Sequence, residues 1–299
     1  MTEPKEPQAT RCGYIAIVGK PNVGKSTLLN KLIGQKLSIT SRKPQTTRHQ
    51  LLGIKTTAEC QFLYVDTPGI HGHEGRAMNR YMNRSALAVL ADVDVAVLVL
   101  ERLEFDADDA RVAEFLNASP GRHVVAINKV DQVEPKERLL PHLARLAEEL
   151  PGAELIPLSA LKGDNVEAFE QVVEASLPAN PFYFPDDQIT DRSERFLVAE
   201  IIREKIMRQL SAELPYALTV QIETYRTEAD VTHIEAVVLV ERDSQKAILI
   251  GKGGQRLKRI GVQAREDIER LLERKVMLRT WVRVKSNWSD DDRALQSLG

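Results

Sequence analysis

A glycine-rich stretch from Gly19 to Ser26 constrains the fold of this chain more than any other part of the sequence. It follows an apolar run at 14–18, which predicts a buried strand, and it precedes residues 27–33, which predict a helix. The stretch fits the spacing GxxxxGK[ST], in which backbone N–H groups turn inward around a phosphate chain and the helix N-terminus adds positive potential. The sequence therefore predicts an α/β domain whose first loop binds phosphate.

All residues of this phosphate-binding loop are candidates for contact with a nucleotide. Its glycines can adopt backbone conformations that are closed to other residues. Lys25 is expected to reach the β- and γ-phosphates, and the Ser26 hydroxyl is expected to ligate Mg²⁺. The alternative, a glycine-rich turn that precedes a lysine by chance, does not explain the strand and helix around it. The predicted nucleotide contacts are Gly19, Lys20, Pro21, Asn22, Val23, Gly24, Lys25, Ser26 and Thr27.

Two further motifs follow predicted strands. The first is Asp66-Thr67-Pro68-Gly69, in which Asp66 is expected to hold Mg²⁺ through water and the Gly69 N–H to meet the γ-phosphate. The second is Asn128-Lys129-Val130-Asp131. Because ligands of open α/β sheets bind outside the carboxyl ends of the strands, both motifs are predicted to lie beside the phosphate-binding loop.

The second motif indicates which base is bound. The Asp131 carboxylate only accepts hydrogen bonds, and guanine offers donors at N1 and N2, whereas adenine has an acceptor at N1 and no amine at C2. We therefore predict GTP or GDP as the ligand and disfavour an ATP-binding protein. Asn128 is expected to bond both the base and the phosphate-binding loop, and Lys129 to lie along the base plane. In Ser159-Ala160-Leu161, the N–H of Ala160 is expected to bond guanine O6.

A polar loop at 38–49 carries the candidate for sensing the γ-phosphate. It has no strong period and contains Pro44-Gln45-Thr46-Thr47-Arg48-His49. A GTP-dependent switch needs a hydroxyl that joins Mg²⁺ only when the γ-phosphate is present. We predict that Thr47 supplies this hydroxyl, with Thr46 as the alternative. A solvated loop without such a role is the competing interpretation.

Chain length and a change of pattern near residue 180 indicate two domains. The 299 residues are 43% hydrophobic and 28% charged, which excludes disordered and fibrous classes. The first part alternates apolar runs with amphipathic segments, which predicts a mixed, mostly parallel sheet with helices on both faces. The predicted boundaries are a flexible N-terminus at 1–11, a GTP-binding domain at 12–178, a linker at 179–192, a second domain at 193–288 and a tail at 289–299.

The predicted elements are as follows. Strands of the first domain are expected at 14–18, 51–57, 60–65, 92–100, 122–127 and 155–158. Its helices are expected at 27–33, 107–117, 135–150 and 166–177. The second domain is predicted as α-β-β-α-α-β, with elements at 194–210, 218–225, 233–240, 247–250, 255–272 and 276–284.

The second domain contains a Gly-x-x-Gly turn among basic residues. The turn is Ile250-Gly251-Lys252-Gly253-Gly254-Gln255, and Arg256, Lys258 and Arg259 follow it. Two helix ends that meet at small residues let a nucleic-acid backbone approach, and the cations supply sequence-independent attraction. Residues 244–285 hold 12 Lys plus Arg against 4 Asp plus Glu, which indicates a polyanionic partner. The alternative is a helix-turn-helix hinge with a solvated basic face.

The cysteine content and the hydropathy of the sequence indicate in which cellular compartment the protein is expected. Cys12 and Cys60 are the two cysteines, which fits reduced cytosolic thiols better than a secreted disulfide scaffold. Residues 1–10 contain no apolar signal region, and no run of about eighteen apolar residues occurs in the sequence. We expect a soluble, cytoplasmic monomer, with peripheral membrane contact left open.

The first-domain motifs resemble those of the translation-factor-like GTPases, in the usual order. Ras-like members have a water-orienting Gln just after the glycine of Asp66–Gly69, where this chain has Ile70. An apolar side chain cannot orient a nucleophilic water, so intrinsic hydrolysis is expected to be slow or to use another group. In similar GTPases with Asn at the position of Asn22, a potassium ion held partly by that side chain replaces an arginine finger. The resemblance therefore implies a K⁺ site at Asn22.

The second-domain pattern resembles a type II K-homology (KH) domain, which holds about four single-stranded nucleotides at its Gly-x-x-Gly loop. A GTPase domain followed by such a domain resembles the Era family of bacterial GTPases, from Tyr14 to about Trp288. The likeness includes residues 44–49, 181–185 and 200–206. It implies binding near the 3′ end of the RNA of the small ribosomal subunit, a role in maturing that subunit, and loose association with the inner membrane.

Two functions of different classes are open at this point. The first is a slow GTPase whose nucleotide state governs binding of single-stranded RNA. The second is a constitutive RNA-binding or scaffold protein with a structural, barely hydrolysed guanine nucleotide, an alternative that Ile70 keeps in consideration. GTP turnover with and without K⁺ and RNA would distinguish them. The catalytic candidates are Lys25, Thr47, Asp66, Gly69 and Asn22.

Overall fold

The computed structural model describes residues 10–41, 43, 46–70, 77–118, 121–210 and 218–285. The predicted N-terminal segment before residue 10, the loop residues Pro44 and Gln45, and the predicted tail lie outside the described residues. The chain forms two compact units. Of the described residues, 10–38, 47–70, 79–118 and 121–191 form the first unit, and 39–41, 43, 46, 77–78, 192–210 and 218–285 form the second.

The first unit contains a mixed sheet. Its strands are β1 (Arg11–Val18), β2 (Leu51–Thr56), β3 (Cys60–Asp66), β4 (Val95–Glu101), β5 (Arg122–Asn128) and β6 (Glu154–Pro157). The strand order is β2-β3-β1-β4-β5-β6. Strand β2 runs antiparallel to β3, and the other neighbouring pairs are parallel. The predicted fold class is therefore confirmed for this unit.

Helices cover the sheet of the first unit. They are α1 (Lys25–Ile33), α2 (Ala77–Val89), α3 (Ala107–Ala118), α4 (Leu139–Glu149) and α5 (Val166–Ser176). Side chains of α2, α3 and α4 share one core with β1, β4 and β5, and α1 and α5 contact each other. Helix α2 is not apparent from the sequence, because its fully buried apolar positions Met82 and Ala86 are separated by the polar residues 83–85.

One predicted strand starts later than expected. The run at 92–100 becomes a strand only at Val95. The carboxylate of Asp94 accepts a hydrogen bond from the N–H of Tyr14 at 2.8 Å. The Asp94 side chain thus accepts the hydrogen bond that a backbone carbonyl would accept if the strand began earlier.

The start of β1 is closed by the chain that follows α5. The N–H of Cys12 donates to the carbonyl of Pro178 at 3.3 Å, and the N–H of Asn180 donates to the carbonyl of Thr10 at 3.1 Å. The Asn180 side-chain amide also donates to the carbonyl of Cys12 at 3.1 Å. Strand β3 pairs with the other edge of β1, so residues 178–180 occupy the edge that faces β4, at the positions before β4 begins.

Residues 181–191 continue along the first unit, although all of them fall in the predicted linker at 179–192. The Gln61 side-chain oxygen accepts hydrogen bonds from the N–H groups of Tyr183 and Phe184, at 2.8 and 3.0 Å. The N–H of Ile54 donates to the carbonyl of Ile189 at 2.8 Å. These bonds fix the segment against β2 and β3.

The second unit has the predicted α-β-β-α-α-β order. Its elements are α6 (Glu194–Gln209), β7 (Leu218–Glu228), β8 (Val231–Val240), α7 (Asp243–Ile250), α8 (Gln255–Leu272) and β9 (Lys275–Val284). Strand β8 is central, antiparallel to β7 and parallel to β9. A core of α6, α8 and the inner face of the sheet includes Ile202, Val238 and Ala264. Among the described residues, no helix is long and apolar enough to cross a membrane.

Candidate functional site

The phosphate-binding loop joins β1 to α1 and runs too close to its neighbours to admit side chains at its glycines. Gly19 has φ +145° and Gly24 has φ +105°. A Cβ at Gly24 would lie 2.2 Å from the amide nitrogen of Asn128, and a Cβ at Gly19 would lie 2.5 Å from the carbonyl oxygen of Val99. The loop therefore lies against the carboxyl ends of β4 and β5, where the sequence predicts it.

Lys25 is buried inside this loop. Its Nζ donates to the carbonyl oxygens of Gly19 at 2.9 Å and Lys20 at 2.8 Å. Burial lowers the pKa of the Lys25 ammonium to about 8, and the Asp66 carboxylate opposes part of that change. The loop thus holds a poorly solvated ammonium, which an anionic phosphate would stabilise.

Three predicted metal-binding side chains lie together. The Ser26 hydroxyl is 2.8 Å from the Thr47 hydroxyl and donates to Oδ2 of Asp66 at 2.8 Å. Ser38, which was not predicted, also donates to Oδ2 of Asp66 at 2.8 Å. The alternative candidate, Thr46, instead bonds within the polar loop, to Ser41 and Lys43. The geometry therefore brings Thr47, and not Thr46, to Ser26 and Asp66.

These oxygens suit Mg²⁺. Adjacent ligands of an octahedral Mg²⁺ are about 3.0 Å apart, close to the 2.8 Å between the hydroxyls of Ser26 and Thr47. Asp66 is fully buried, and its Oδ1 has no hydrogen-bond partner within the described residues. Burial raises the pKa of Asp66, while the Lys25 charge and the hydroxyl donors lower it. A cation would satisfy this carboxylate. The described residues contain no alternative cluster of His, Cys, Asp and Glu that could hold a metal.

Asn128 connects the loops that are predicted to hold the base. Its side-chain amide donates to the carbonyl of Val23 at 2.8 Å. Its side-chain oxygen accepts from the N–H of Lys129 at 2.8 Å and from the N–H of Ala160 at 3.0 Å. The Ala160 N–H that we predict for guanine O6 is therefore held beside Asn128. Ser159 is buried beside Ala160, and Leu161 is exposed.

The other predicted base contacts follow β5. Asp131 is half-buried in the short 3-10 turn Val130–Gln132. The ammonium of Lys129 donates to the carbonyl of Asn22 at 2.8 Å and pairs with Glu101 at 2.8 Å. This side chain therefore spans from the end of β5 to the phosphate-binding loop.

The remaining loop residues are placed in different ways. Lys20 pairs with Asp106 at 2.7 Å and with the buried Asp109 at 2.8 Å, so its side chain is committed to the start of α3. Only its backbone is available to phosphate. A Cβ at Gly69 would lie 2.8 Å from the backbone of Pro21, so the two predicted phosphate-binding segments touch. Thr27 lies in the first turn of α1.

Ile70 is turned away from this site. Its side chain is 4% exposed and packs in the core with Val18, Leu98 and Leu100. Its N–H donates to the carbonyl of Gly19 at 3.2 Å. A side chain fixed in the core cannot orient water at a phosphate.

The Gly-x-x-Gly turn of the second unit is open on one side. Gly253 and Gly254 have φ +58° and +77°, and a Cβ at either position would meet nothing within 4 Å. At Gly251, a Cβ would lie 2.8 Å from Cβ of Arg256. Arg256 in turn donates to the carbonyl of Ile248, so it caps α7 rather than projecting freely.

Three of the predicted cations around the turn are free. Lys252, Lys258 and Arg259 are exposed. Within the part of the chain that the structure describes, none of them makes a hydrogen bond or an ion pair. Gln255 is exposed at the start of α8, and Ile250 is half-buried. The turn thus presents positive charge beside a backbone that a ligand can approach closely.

Comparisons with known proteins match both units. The family model described as "50S ribosome-binding GTPase" matches residues 14–129, and the model described as "KH domain" matches residues 213–289. GTPase Era of Pseudomonas fluorescens (strain Pf0-1) is 57% identical over 291 residues, 97% of each chain. GTPase Era of Azotobacter vinelandii is 56% identical over 294 residues, 98% of each chain.

Solved structures of similar proteins share the fold along the whole chain. One is Era in complex with MgGDPNP and nucleotides 1506–1542 of 16S ribosomal RNA, with a TM-score of 0.94. Another is a variant of Aquifex aeolicus Era bound to GDP and AlF4⁻, with a TM-score of 0.93. Each is 36% identical to this chain, covers 97% of it and is itself covered to 99%. The chain therefore belongs to the Era family of GTPases.

Proposed function

We propose that this GTPase binds single-stranded RNA of the small ribosomal subunit at the Gly-x-x-Gly turn, that its nucleotide controls this binding, and that it acts in maturation of that subunit. The observation that carries the proposal is the open turn with three exposed cations, Lys252, Lys258 and Arg259, which have no partner among the residues that the structure describes. The related Era that holds MgGDPNP and 16S ribosomal RNA together supports it.

For the hydrolysis of GTP, we assign roles to residues of the first unit. The backbone N–H groups of Gly19 to Gly24 and the Lys25 ammonium would surround the β- and γ-phosphates, where charge develops. The Gly69 N–H would meet the γ-phosphate. Ser26, Thr47 and, through water, Asp66 would hold Mg²⁺, which neutralises phosphate charge when bound. Asp131 would pair with N1 and N2 of guanine.

The group that orients the attacking water must be one other than Ile70, because that side chain is buried in the core. We propose slow intrinsic hydrolysis and a K⁺ ion held partly by the exposed side chain of Asn22. This proposal rests on the family likeness together with the burial of Ile70. The competing function, a scaffold with a barely hydrolysed nucleotide, is disfavoured by membership in a family of GTPases.

We also propose that the protein is a cytoplasmic monomer with loose contact to the inner membrane. Cys12 and Cys60 are buried and unpaired, as expected for reduced thiols. Membrane contact rests on the resemblance alone. Gel filtration tests the monomer, and co-sedimentation with vesicles of anionic phospholipid tests the membrane contact; elution as a dimer or absence from the pellet would contradict the respective proposal.

The central proposal is tested by titrating labelled RNA from the 3′ end of the small-subunit RNA against the protein. The titration is done with Mg²⁺ and either GDPNP or GDP, and an RNA of the same length and scrambled sequence serves as control. We expect different dissociation constants in the two nucleotide states and weaker binding of the scrambled RNA. Equal constants would refute control by the nucleotide, and no binding would refute the RNA-binding function.

A further inference from the structure

The side chain of Lys20 reaches from the phosphate-binding loop to the start of α3. Its ammonium pairs with Asp106 at 2.7 Å and with Asp109 at 2.8 Å. Burial lowers the pKa of Lys20, but the two carboxylates outweigh burial and raise this pKa above its usual value. The side chain is therefore a charged link between the loop and the helix.

Asp109 is the buried end of this link. Its side chain is 1% exposed, whereas that of Asp106 is 61% exposed. Oδ2 of Asp109 also accepts from the N–H of Asp106 at 3.1 Å, and Oδ1 has no hydrogen-bond partner among the residues that the structure describes. Burial raises the pKa of Asp109, and the Lys20 ammonium opposes that change. Because a buried carboxylate is costly without a cation, Asp109 holds Lys20 firmly.

Helix α3 gives Asp109 a fixed position in the first unit. The buried residues Val112, Ala113 and Leu116 follow Asp109 on the same face of the helix. They pack in the core that α3 shares with β1, β4 and β5. Because cores are close-packed and deform little, a side chain at the start of this face is a rigid point of attachment for the loop.

The backbone of Lys20 belongs to the phosphate site. Its carbonyl oxygen accepts from the ammonium of Lys25 at 2.8 Å. Gly69 lies against the next residue, Pro21, since a Cβ at Gly69 would be 2.8 Å from Cα of Pro21. Fixing the side chain of Lys20 thus restricts where the Lys25 ammonium and the Gly69 N–H can lie. Both are groups that we assign to the phosphates of GTP.

We propose that Asp109 is a positioning residue for GTP hydrolysis, which acts through the Lys20 ammonium to fix the phosphate-binding loop around Lys25. The inference rests on the proposed role of Lys25 at the β- and γ-phosphates. It assigns a role in the rate of hydrolysis to a buried carboxylate that lies outside the nucleotide-binding motifs of the sequence.

The test compares five variants of the full chain. Lys20→Met keeps the stem of the side chain and removes the ammonium, Asp109→Asn removes the charge and keeps the size, and the third variant combines the two. Asp108→Asn is the matched control, because it makes the same chemical change one residue earlier, while Lys20 pairs with residues 106 and 109. Lys25→Met tests the role of Lys25 itself. For each variant, kcat for GTP, affinity for GDP and the midpoint of thermal unfolding are measured.

We expect Lys20→Met to lower kcat about tenfold, because small displacements of groups around the reacting atoms have effects of this size or larger. Asp109→Asn should lower kcat by a smaller factor, since Asp106 still pairs with the ammonium. GDP affinity should fall in both variants, because Lys25 also reaches the β-phosphate. Asp108→Asn should keep the kcat of the unmodified protein.

Stability and rate are expected to separate in the combined variant. Lys20→Met leaves Asp109 buried without its cation, so its unfolding midpoint should fall. Adding Asp109→Asn removes the unpaired charge, so the midpoint should recover. The kcat should stay as low as in Lys20→Met, because the loop is still detached from α3. The combined variant also serves if Lys20→Met does not fold.

Four results would overturn the inference while leaving the role of Lys25 intact. A kcat that recovers together with stability in the combined variant would mean that the ion pair only stabilises the fold. A combined variant slower than Lys20→Met would mean that Asp109 acts by another route. Tighter GDP binding by Asp109→Asn would mean that the released ammonium serves phosphate directly. Slowing by Asp108→Asn as large as that by Asp109→Asn would indicate general loosening of α3.

The variant Lys25→Met distinguishes failure of the inference from failure of the proposed function. If Lys25→Met hydrolyses GTP normally, the proposed role of Lys25 is wrong and the inference falls with it. If Lys25→Met is slow while Lys20→Met and the combined variant are normal, only the inference is wrong.

Discussion

The protonation state of the Lys25 side chain depends on whether a phosphate is bound beside it. Without nucleotide, burial lowers its pKa to about 8. A bound phosphate favours the charged form and raises this pKa, so near pH 8 nucleotide binding must take up protons. At pH 8 we expect uptake of about half a proton for each GDP bound, because about half of the free lysines are neutral there.

Calorimetry of GDP binding at pH 8, in two buffers with different ionisation enthalpies, measures this uptake. Above pH 8, affinity for GDP should fall as pH rises, since a growing fraction of Lys25 must first be protonated. Lys25→Arg should abolish the uptake, because an arginine side chain stays charged at this pH. The same heat in both buffers for the unmodified protein would contradict the prediction.

Asn22 is the residue that carries the potassium proposal. If its side-chain oxygen helps to hold K⁺, hydrolysis should be faster in K⁺ than in Na⁺ at equal ionic strength, and Asn22→Ala should remove this difference. Asn22 has φ +67°, which alanine tolerates poorly. Asn22→Gly loses the same oxygen without backbone strain. Each of the two variants should therefore hydrolyse GTP at the same rate in K⁺ as in Na⁺. Equal rates in K⁺ and Na⁺ for the unmodified protein would end the proposal.

At the scale of single residues, the sequence predicted which side chains gather but not all of their partners. Ser26, Thr47 and Asp66 belong to motifs with fixed chain order, so their proximity followed from the positions of the strands. Ser38 could not be identified, since a serine in a polar loop is ordinary and only the fold brings it to Asp66. Likewise, nothing in the sequence indicates that Lys20 pairs with α3.

Helix α7 shows why element boundaries were harder to predict than element types. The apolar residues at 247–250 predict a helix there, whereas α7 begins at Asp243. The side-chain oxygen of Gln245 accepts from the N–H groups of Glu241 and Arg242, at 2.8 and 3.1 Å. These bonds satisfy N–H groups that a helix start leaves open. A glutamine is common at any helix position, so Gln245 does not reveal from a single sequence that α7 begins just before it.

The turn between α7 and α8 gives a prediction about RNA. Lys252→Asp with Gly253→Asp places negative charge where an RNA backbone would approach. We expect RNA affinity to drop well over tenfold and GTP hydrolysis without RNA to stay normal. The fold should persist, because Gly253 has open space for a Cβ and Asp tolerates its φ of +58°.

The matched control is Gly152→Asp. Gly152 also has positive φ, at +82°, and open space, but it lies in the first unit. This variant should bind RNA like the unmodified protein. For the unmodified protein, affinity should fall as salt rises, because phosphate contacts release counterions. A double variant with undiminished RNA affinity would remove the Gly-x-x-Gly turn from the proposed interface.

For the whole molecule, linkage makes the effects of nucleotide and RNA reciprocal. If GDPNP and GDP give RNA affinities that differ by some factor, saturating RNA must change the ratio of GDPNP to GDP affinities by the same factor. Fluorescent GDPNP and GDP titrated with and without RNA measure this factor, and an affinity ratio that RNA leaves unchanged would contradict control of RNA binding by the nucleotide.

The sequence predicts two folded parts, but it does not predict that the described residues of the polar loop at 39–46 belong to the second unit. Length, the prolines near residue 180 and the change of pattern predict two folded parts. The N–H of Thr40 donates to Oε1 of Glu204 in α6 at 2.9 Å, across 164 residues of the chain, and such a carboxylate occurs equally on solvated surfaces. A single sequence carries no signal for such a pair.

The closure of β1 by residues 178–180 has a consequence for the order of events during synthesis. Thr10 and Asn180 are 170 residues apart, so the first strand of a nascent chain lacks these partners until nearly the whole first unit has left the ribosome. Thr40 also lacks its hydrogen-bond partner until late in synthesis, since Glu204 emerges 164 residues after it. The edge of β1 at residues 10–12 therefore stays open in the nascent chain until the last residues of the first unit have been made.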